Sequence, residues 1–390
     1  MKKIALTSLS LALLGAAGAA HAQSSVTLYG VIDDSIMYVH NDGGKNLWQM
    51  QQGNLSGSRW GMKGTEDLGG GLKAIFQLEG GFDPNSGKAG QGGLLFGRQA
   101  FAGLSADQYG TVTLGRQYDP VVDMVQGLTG DNYSEFFTTP GDVDNNDNSS
   151  RTNSAVKYVS PVWGGFQFEG MYALGGVAGS TGSGQTWSGA ATYGTGPFNI
   201  AAGYIRMDNA STPAGRGQTA TAAPGWATGA TSGGTFDSVI NNAYASAKSI
   251  GIASVAGQYV TGPFTANIRY SNAQYKPDAY SGFGSTERFN VAAGFLGYNV
   301  TPAAQLGLGY TYTHGAGDTS ATYNQVSLGA DYNLSKRTDV YLMGVYQHAN
   351  GTQRTSATTT QTAVASAADY GFSSDSSSQE IAALGIRHKF

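Results

Sequence analysis

Tyr259-Val-Thr-Gly-Pro-Phe264-Thr-Ala-Asn-Ile-Arg-Tyr270 is the stretch that decides the fold. Phe264, Ala266, Ile268 and Tyr270 alternate with Thr265, Asn267 and Arg269, a period of two that builds a strand with one apolar face and one polar face. Gly262-Pro263 before it reads as a tight turn. The same phrase recurs as Tyr193-Gly-Thr-Gly-Pro-Phe198, followed by the alternating set Phe198, Ile200, Ala202 and Tyr204. Tyr298-Asn-Val-Thr-Pro302 and Tyr158-Val-Ser-Pro161 are variants of it. A proline-containing turn flanked by aromatics, then about 8–10 alternating residues, fits a transmembrane barrel with short turns and an aromatic girdle.

Working outward, Leu306, Leu308, Tyr310 and Tyr312 alternate with Gln305, Gly307, Gly309 and Thr311. Leu72, Ala74, Phe76 and Leu78 alternate with Lys73, Ile75, Gln77 and Glu79. Segments of this kind predict sixteen strands. Their connections alternate between seven short turns and eight long loops, which puts both strand ends of the chain on the short-turn side. The long loops are expected near residues 40–54, 84–92, 119–150, 175–186, 209–248, 277–285, 315–320 and 350–378. They are rich in Gly, Ser, Thr, Ala and Asp, as solvated loops should be. Val340–Gln347 shows no clean alternation, so its register stays open.

Composition agrees. Of 390 residues only 12% are charged, about half the usual share, and the 59 glycines are about twice the average. Aromatics at 11% exclude general disorder. The absence of cysteine removes disulfides, thiolate metal sites and thiol catalysis together. A net charge of −4 gives no footing for a nucleic-acid partner.

Met1–Ala22 reads as a secretory signal: Lys2 and Lys3, then an apolar run, then Ala20-His21-Ala22 as the cleavage site. Residues 23–390 are then a single barrel. They contain no apolar run of transmembrane-helix length, so a membrane location requires a closed barrel, which leaves no backbone unpaired in lipid.

Ser25-Val-Thr-Leu-Tyr-Gly30, Ser58-Arg-Trp-Gly-Met-Lys-Gly-Thr-Glu-Asp-Leu-Gly69, Phe96-Gly-Arg-Gln-Ala-Phe-Ala-Gly-Leu104, Thr111-Val-Thr-Leu-Gly-Arg-Gln-Tyr118 and Gly385-Ile-Arg-His-Lys-Phe390 together resemble the Gram-negative trimeric general porins, in particular the beta-proteobacterial branch. The resemblance implies a sixteen-stranded antiparallel barrel in the outer membrane, assembled as a homotrimer, with its third loop folded inward to form a constriction. It implies that Arg59, Arg98 and Arg151 are constriction arginines and that Arg116 faces a neighbouring subunit. Phe390 resembles the signature read by the barrel-assembly machinery. The Pro-Glu-Phe-Gly phrase of the enteric porins is absent; Ser134-Glu-Phe-Phe137 stands near its place.

The residues support several of these roles independently. A charge on the lipid face of a barrel costs roughly 2–4 kcal/mol near the midplane, so strand arginines such as Arg59 and Arg98 should face water. Glu79 shares parity with Lys73 and Gln77 and should line the same interior. Arg116 shares parity with Val112 and Leu114, the apolar set. In the third loop, Asp119 can cap a helix that begins at Pro120 and runs to Gln126. Gly127 would then end it in a left-handed conformation. Asp119 itself and Asp123, one turn in, are the loop acids expected at the constriction, available to face the arginines. Asp142-Val-Asp144-Asn-Asn146-Asp147 resembles the start of a calcium loop, but it lacks glycine at the sixth position and glutamate at the twelfth. No catalytic motif stands out, and no cofactor or metal is expected. The reading is a passive channel for small hydrophilic solutes and ions with weak anion preference. A substrate-specific channel and a surface adhesin or receptor acting through the long loops are the alternatives.

Overall fold

A computed structural model of the chain describes residues 24–211, 236–356 and 358–390. The expected signal segment and much of the 209–248 loop lie outside them.

Among the described residues eighteen strands run β1 (Ser25–Asp42), β2 (Lys45–Gln52), β3 (Arg59–Gly69), β4 (Leu72–Gly81), β5 (Gln99–Ala106), β6 (Gly110–Gln117), β7 (Thr152–Val159), β8 (Phe166–Ala173), β9 (Thr186–Thr195), β10 (Phe198–Asp208), β11 (Ser249–Thr261), β12 (Phe264–Lys276), β13 (Glu287–Thr301), β14 (Ala304–Ala316), β15 (Ser320–Asn333), β16 (Thr338–Arg354), β17 (Thr360–Thr362) and β18 (Ser378–Lys389). Leaving aside β2 and the three-residue β17, sixteen close into one antiparallel barrel. The seam is β1 against β18, from Val31↔Lys389 to His40↔Glu380. Phe390 and Gly30 then exchange two backbone hydrogen bonds of 3.0 Å.

The alternation read from sequence sets the two faces. On β12, Ile268 is 72% exposed and its neighbour Arg269 only 5%. Leu306, Leu308, Leu328 and Leu384 likewise point outward, whereas Thr311, Thr313, Gln325 and Ser327 are buried inside. The exposed leucines and isoleucines are apolar surface for lipid, and each strand's polar set stays on the inner face.

The loop expected at 40–54 is corrected. Chain 25–42 continues as strand, turns at Gly43 and Gly44, and returns as β2, which pairs with β1 from Asp34↔Gln52 to Asp42↔Lys45. β3 takes over beside β1 from Val31↔Arg59 down to Ser25↔Thr65. The first long connection is therefore mostly extended sheet, broken at residues 53–58.

The unresolved register of Val340–Gln347 has a packing explanation. On β16 the inward set is Asp339, Tyr341, Met343, Val345 and Gln347. Tyr341, Met343 and Val345 join Met37, Phe136, Phe137, Phe295 and Ile381 in an apolar cluster. The inner face there is apolar because loop aromatics cover it, so both faces of the strand read alike in sequence.

The loop at 350–378 is also not the solvated excursion expected. Ala365, Ser366, Ala367 and Ala368 are buried, and inward-facing glutamines hold their backbone. Gln347 accepts from Ser366 N (2.8 Å) and donates to Ser366 O (2.9 Å); Gln379 accepts from Ala367 N and Gln325 from Ala368 N, both at 2.8 Å. Buried backbone must find such partners.

Candidate functional site

Glu79 is the hub of the inner wall. It stands on β4, opposite Gly61 on one side and Gln99 on the other. Its Oε1 accepts from Arg98 Nε at 2.8 Å and from the Tyr118 hydroxyl at 3.2 Å. Its Oε2 accepts from the Tyr29 hydroxyl at 2.8 Å, and Gln77 Nε2 donates to the Tyr29 oxygen at 2.8 Å. The guanidinium groups of Arg98 and Arg151 each lie 5.8 Å from the centre of the Tyr118 ring. Arg59, at the start of β3, sits within reach of the charges of both Arg98 and Glu79. Three arginines and one carboxylate thus share a patch of wall.

The third loop, residues 119–151, lies against inward-facing side chains of the barrel. Arg269 of β12 pairs with Asp144, and Ser271 donates to the same carboxylate. Tyr275 donates to Val143 O at 2.8 Å, Gln325 to Thr138 O at 2.9 Å, and Ser327 to Phe136 O. Phe137 packs edge-on against both Tyr133 and Phe295, and Tyr133 lies tilted on Phe295. Wall glycines make the room: a Cβ at Gly309 would lie 2.4 Å from Phe137 Cδ1, and one at Gly307 would lie 2.7 Å from Tyr133 Cε1.

Two of the expected constriction acids are placed elsewhere. Asp119 caps the helix Pro120–Val125, accepting from Val121 N at 2.8 Å and Val122 N at 3.4 Å, and takes a third bond from Asn145 Nδ2. Its partners are backbone and amide, as a cap requires. Asp123 pairs with Lys157 on β7, which also lies 3.9 Å from Glu169 on β8. Neither acid meets the arginines. The helix ends at Val125, and Gly127 continues in a 3₁₀ turn (Gln126–Leu128) rather than in a left-handed cap. The calcium-like motif is dismantled as well: Asp142 accepts from Asp147 N and Ser149 N, while Asp144 is taken by Arg269.

The acids that face Arg98 and Arg151 are Glu135, Asp147 and Asp369. All five line one cavity of about 280 Å³ together with Gln51, Gln52 and Tyr370. Glu135 belongs to the Ser134-Glu-Phe-Phe137 phrase, so its neighbourhood was visible in sequence. Asp369 was not: it arrives from the other end of the chain because residues 365–370 fold inward. Arg269 was visible as an inner-face charge of its strand, but its acidic partner was not, and Lys157 was found only by the structure.

Arg116, near the end of β6, is buried. Its Nε donates to Gly97 O at 2.7 Å and its Nη1 to Asn153 Oδ1 at 2.6 Å. Its Nη2 has no partner among the described residues.

The sequence profile of the Gram-negative porin matches residues 5–353. The chain belongs to this family. Over the whole length of both chains the porin is 32% identical to an outer membrane porin protein of Bordetella pertussis. It is 31% identical to outer membrane porin protein 32 of Delftia acidovorans, over 85% of this chain and 86% of the relative. In fold, it is similar to the anion-selective porin from Comamonas acidovorans, with a TM-score of 0.70 at 22% identity, covering 94% of this chain and 100% of that one. The porin is therefore an outer-membrane general porin channel, and its family is one of channels rather than enzymes.

Proposed function

We propose that this porin works as a homotrimer with weak anion preference, and that the preference is set at Arg59, Arg98 and Arg151. The observation that carries the reading is the unequal charge of the two sides of the cavity. Glu79 offsets only one of the three arginines. Across from them, burial, with Asp131's charge beside it, pushes the Glu135 carboxyl up to about 8. Burial and the neighbouring acids hold Asp147 and Asp369 well above the usual carboxylate range. The acidic side therefore carries less charge at neutral pH than its residue count suggests. Exposed charges beyond a Debye length, about 8 Å at physiological ionic strength, are largely screened, so the whole-chain charge of −4 has little weight at the narrow part. Rings of charged side chains act there directly on the ion.

The trimer reading is supported by the fold likeness to the trimer form of OmpT of Vibrio cholerae, TM-score 0.64 at 17% identity. Arg116, with one nitrogen unpartnered in the single chain, is the residue proposed to reach the neighbouring subunit. Met1–Ala22 would be removed on export, and Phe390 would be read by the assembly machinery during insertion.

The test is the zero-current potential across a planar bilayer under a salt gradient, for wild type and Arg98→Ser. Anion preference that weakens in the variant is expected. Cation preference in the wild type, or an unchanged potential on removing Arg98, overturns the arginine account.

A further inference from the structure

The calcium-like motif of the third loop does not close on itself, yet one of its acids meets two others from distant parts of the chain. Glu135, Asp147 and Asp369 each place a carboxylate oxygen within 4.8 Å of the other two. Their acidic neighbours are satisfied: Asp131 accepts from Thr138, Gln126 and Asn146, and Asp142 accepts two backbone N–H groups. Asp369 is not. Ser149 Oγ donates to its Oδ2 at 2.8 Å, but its Oδ1 has no partner. Among the described residues none of the three forms an ion pair; Arg98 and Arg151 line the same cavity, Arg98 giving its Nε to Glu79 and Arg151 lying within electrostatic reach of Asp147.

A second observation points to a ligand rather than to crowding. Asn148 lines this cavity beside the three acids, is only 3% exposed, and its amide Oδ1 also lacks a partner. A buried amide oxygen left unpaired costs about 1–3 kcal/mol, and native structures rarely leave one so. Here two unpaired buried oxygens and three carboxylates border one small cavity. The set is all oxygen, with no histidine or cysteine, which suits a hard cation and not zinc. Calcium takes 6–8 oxygens at about 2.3–2.6 Å in flexible geometry, so two ligand atoms on one ion are separated by at most roughly 5 Å. The spacing of the three carboxylates fits that limit. Magnesium dehydrates reluctantly and demands near-ideal octahedral geometry, which makes it the weaker fit.

We propose that Glu135, Asp147 and Asp369, with the Asn148 amide oxygen, form a calcium-class divalent cation site that ties the third loop to the inward-folded last loop. Water and Ser149 would complete the coordination. A bound ion would replace mutual repulsion of the acids with attraction to a shared charge and would hold residues 365–370 against residues 135–148. The site shares Glu135, Asp147 and Asp369 with the anion-preference reading, but its test reads cation binding and loop order rather than selectivity, so the two can fail separately.

The test uses purified full-length porin in detergent, stripped with a chelator. Terbium is added under excitation of tyrosine, because Tyr370 lines the cavity. Wild type should give sensitised luminescence that calcium competes away, with Asp369→Asn and Glu135→Gln weakening terbium binding at least tenfold. In the wild type alone, millimolar calcium should slow amide exchange of Ala367 and Ala368, whereas magnesium at equal concentration should do so less. Equal terbium binding in both variants overturns the proposal. So does exchange in residues 365–370 that calcium leaves unchanged, and this measurement stands even if a variant fails to assemble.

Discussion

Arg98 Nε donates a 2.8 Å hydrogen bond to Glu79 Oε1, and the two side chains are 11% and 6% exposed. The pair ties the chain just before β5 to the middle of the inner wall, and it cancels part of the positive charge that the arginines would otherwise present. A buried ion pair is strongly disturbed when one partner is removed, because the other is left uncompensated.

Glu79→Gln should therefore make the channel more anion-preferring, since Arg98 keeps its charge while losing its counter-ion. The glutamine's one oxygen can still accept from Arg98 and Tyr118 while its amide nitrogen donates to the Tyr29 oxygen, so the wall geometry should survive. The zero-current potential in a salt gradient should move in the direction opposite to that of Arg98→Ser. Shifts of the same sign in the two variants would contradict the role assigned to the pair.

The pairing of Arg269 with Asp144 fixes the third loop to β12, with side chains 2% and 0% exposed. Arg269→Met should leave a buried carboxylate unpaired and cost about 3–5 kcal/mol of local stability. Part of that will be relieved by loosening of the loop. The expected readouts are noisier open-channel current and faster amide exchange in residues 139–146. Quiet current with unchanged exchange would show that the loop is held by its other contacts.

Gly309 is inward-facing wall, and an added Cβ would lie 2.4 Å from the Phe137 ring. Gly309→Ala should force the ring to shift and destabilise the barrel by about 1–3 kcal/mol, the usual scale of overpacking. Gly170→Ala on β8, where a Cβ would meet nothing within 4 Å, is the matched control. Thermal melting in detergent should separate the two, with only the first lowered.

Selectivity should depend on pH. Burial, with Asp144's charge close by, pushes Asp142 up to about 8, and Glu135 is raised to about the same value. A raised carboxyl stays neutral until the pH passes its own value, so these groups gain negative charge as the pH climbs through about 8. Anion preference should therefore fall between about pH 7 and pH 9 and level off below. Measured in chelator, a profile flat across that range would show that these acids do not act on the permeating ion.

Closure of the barrel depends on Gly30. A Cβ there would lie 2.3 Å from the Phe390 ring and 2.8 Å from Arg59 O, and the second contact is backbone that cannot swing away. Gly30→Val should lower the yield of heat-modifiable barrel. Deleting Phe390 should lower it too, because the seam loses two backbone hydrogen bonds and the ring that covers it. Normal yield from both would mean that the seam closes without them.

Strand identity and strand number were legible in the residues, and so was the face that meets lipid, except on β16, where both faces read alike. They follow from a period of two, which any short segment such as Phe264–Tyr270 displays without reference to the rest of the chain. Inner-face charges such as Glu79 and Arg269 were legible for the same reason. The partner of each charge was not. Arg269 meets Asp144 at a separation of 125 residues, Tyr341 meets Asp33 at 308, and Asn54 meets Tyr370 at 316. Local chemistry gave Asp119 its helix cap, but it also offered Asp119 and Asp123 equally as partners of the arginines, and only the placement of Lys157 on β7 decided against Asp123. The two inward-folded loops show where local reading stops. Their polar, small-residue composition is that of solvated loops, and what draws residues 365–368 inside is a set of glutamines on three other strands that satisfy their backbone. The sequence by itself determined the barrel and, β16 aside, its two faces, because alternation is written into the other strands. The charge balance of the cavity was decided only by tertiary structure, because it depends on which distant loops the closed wall brings together.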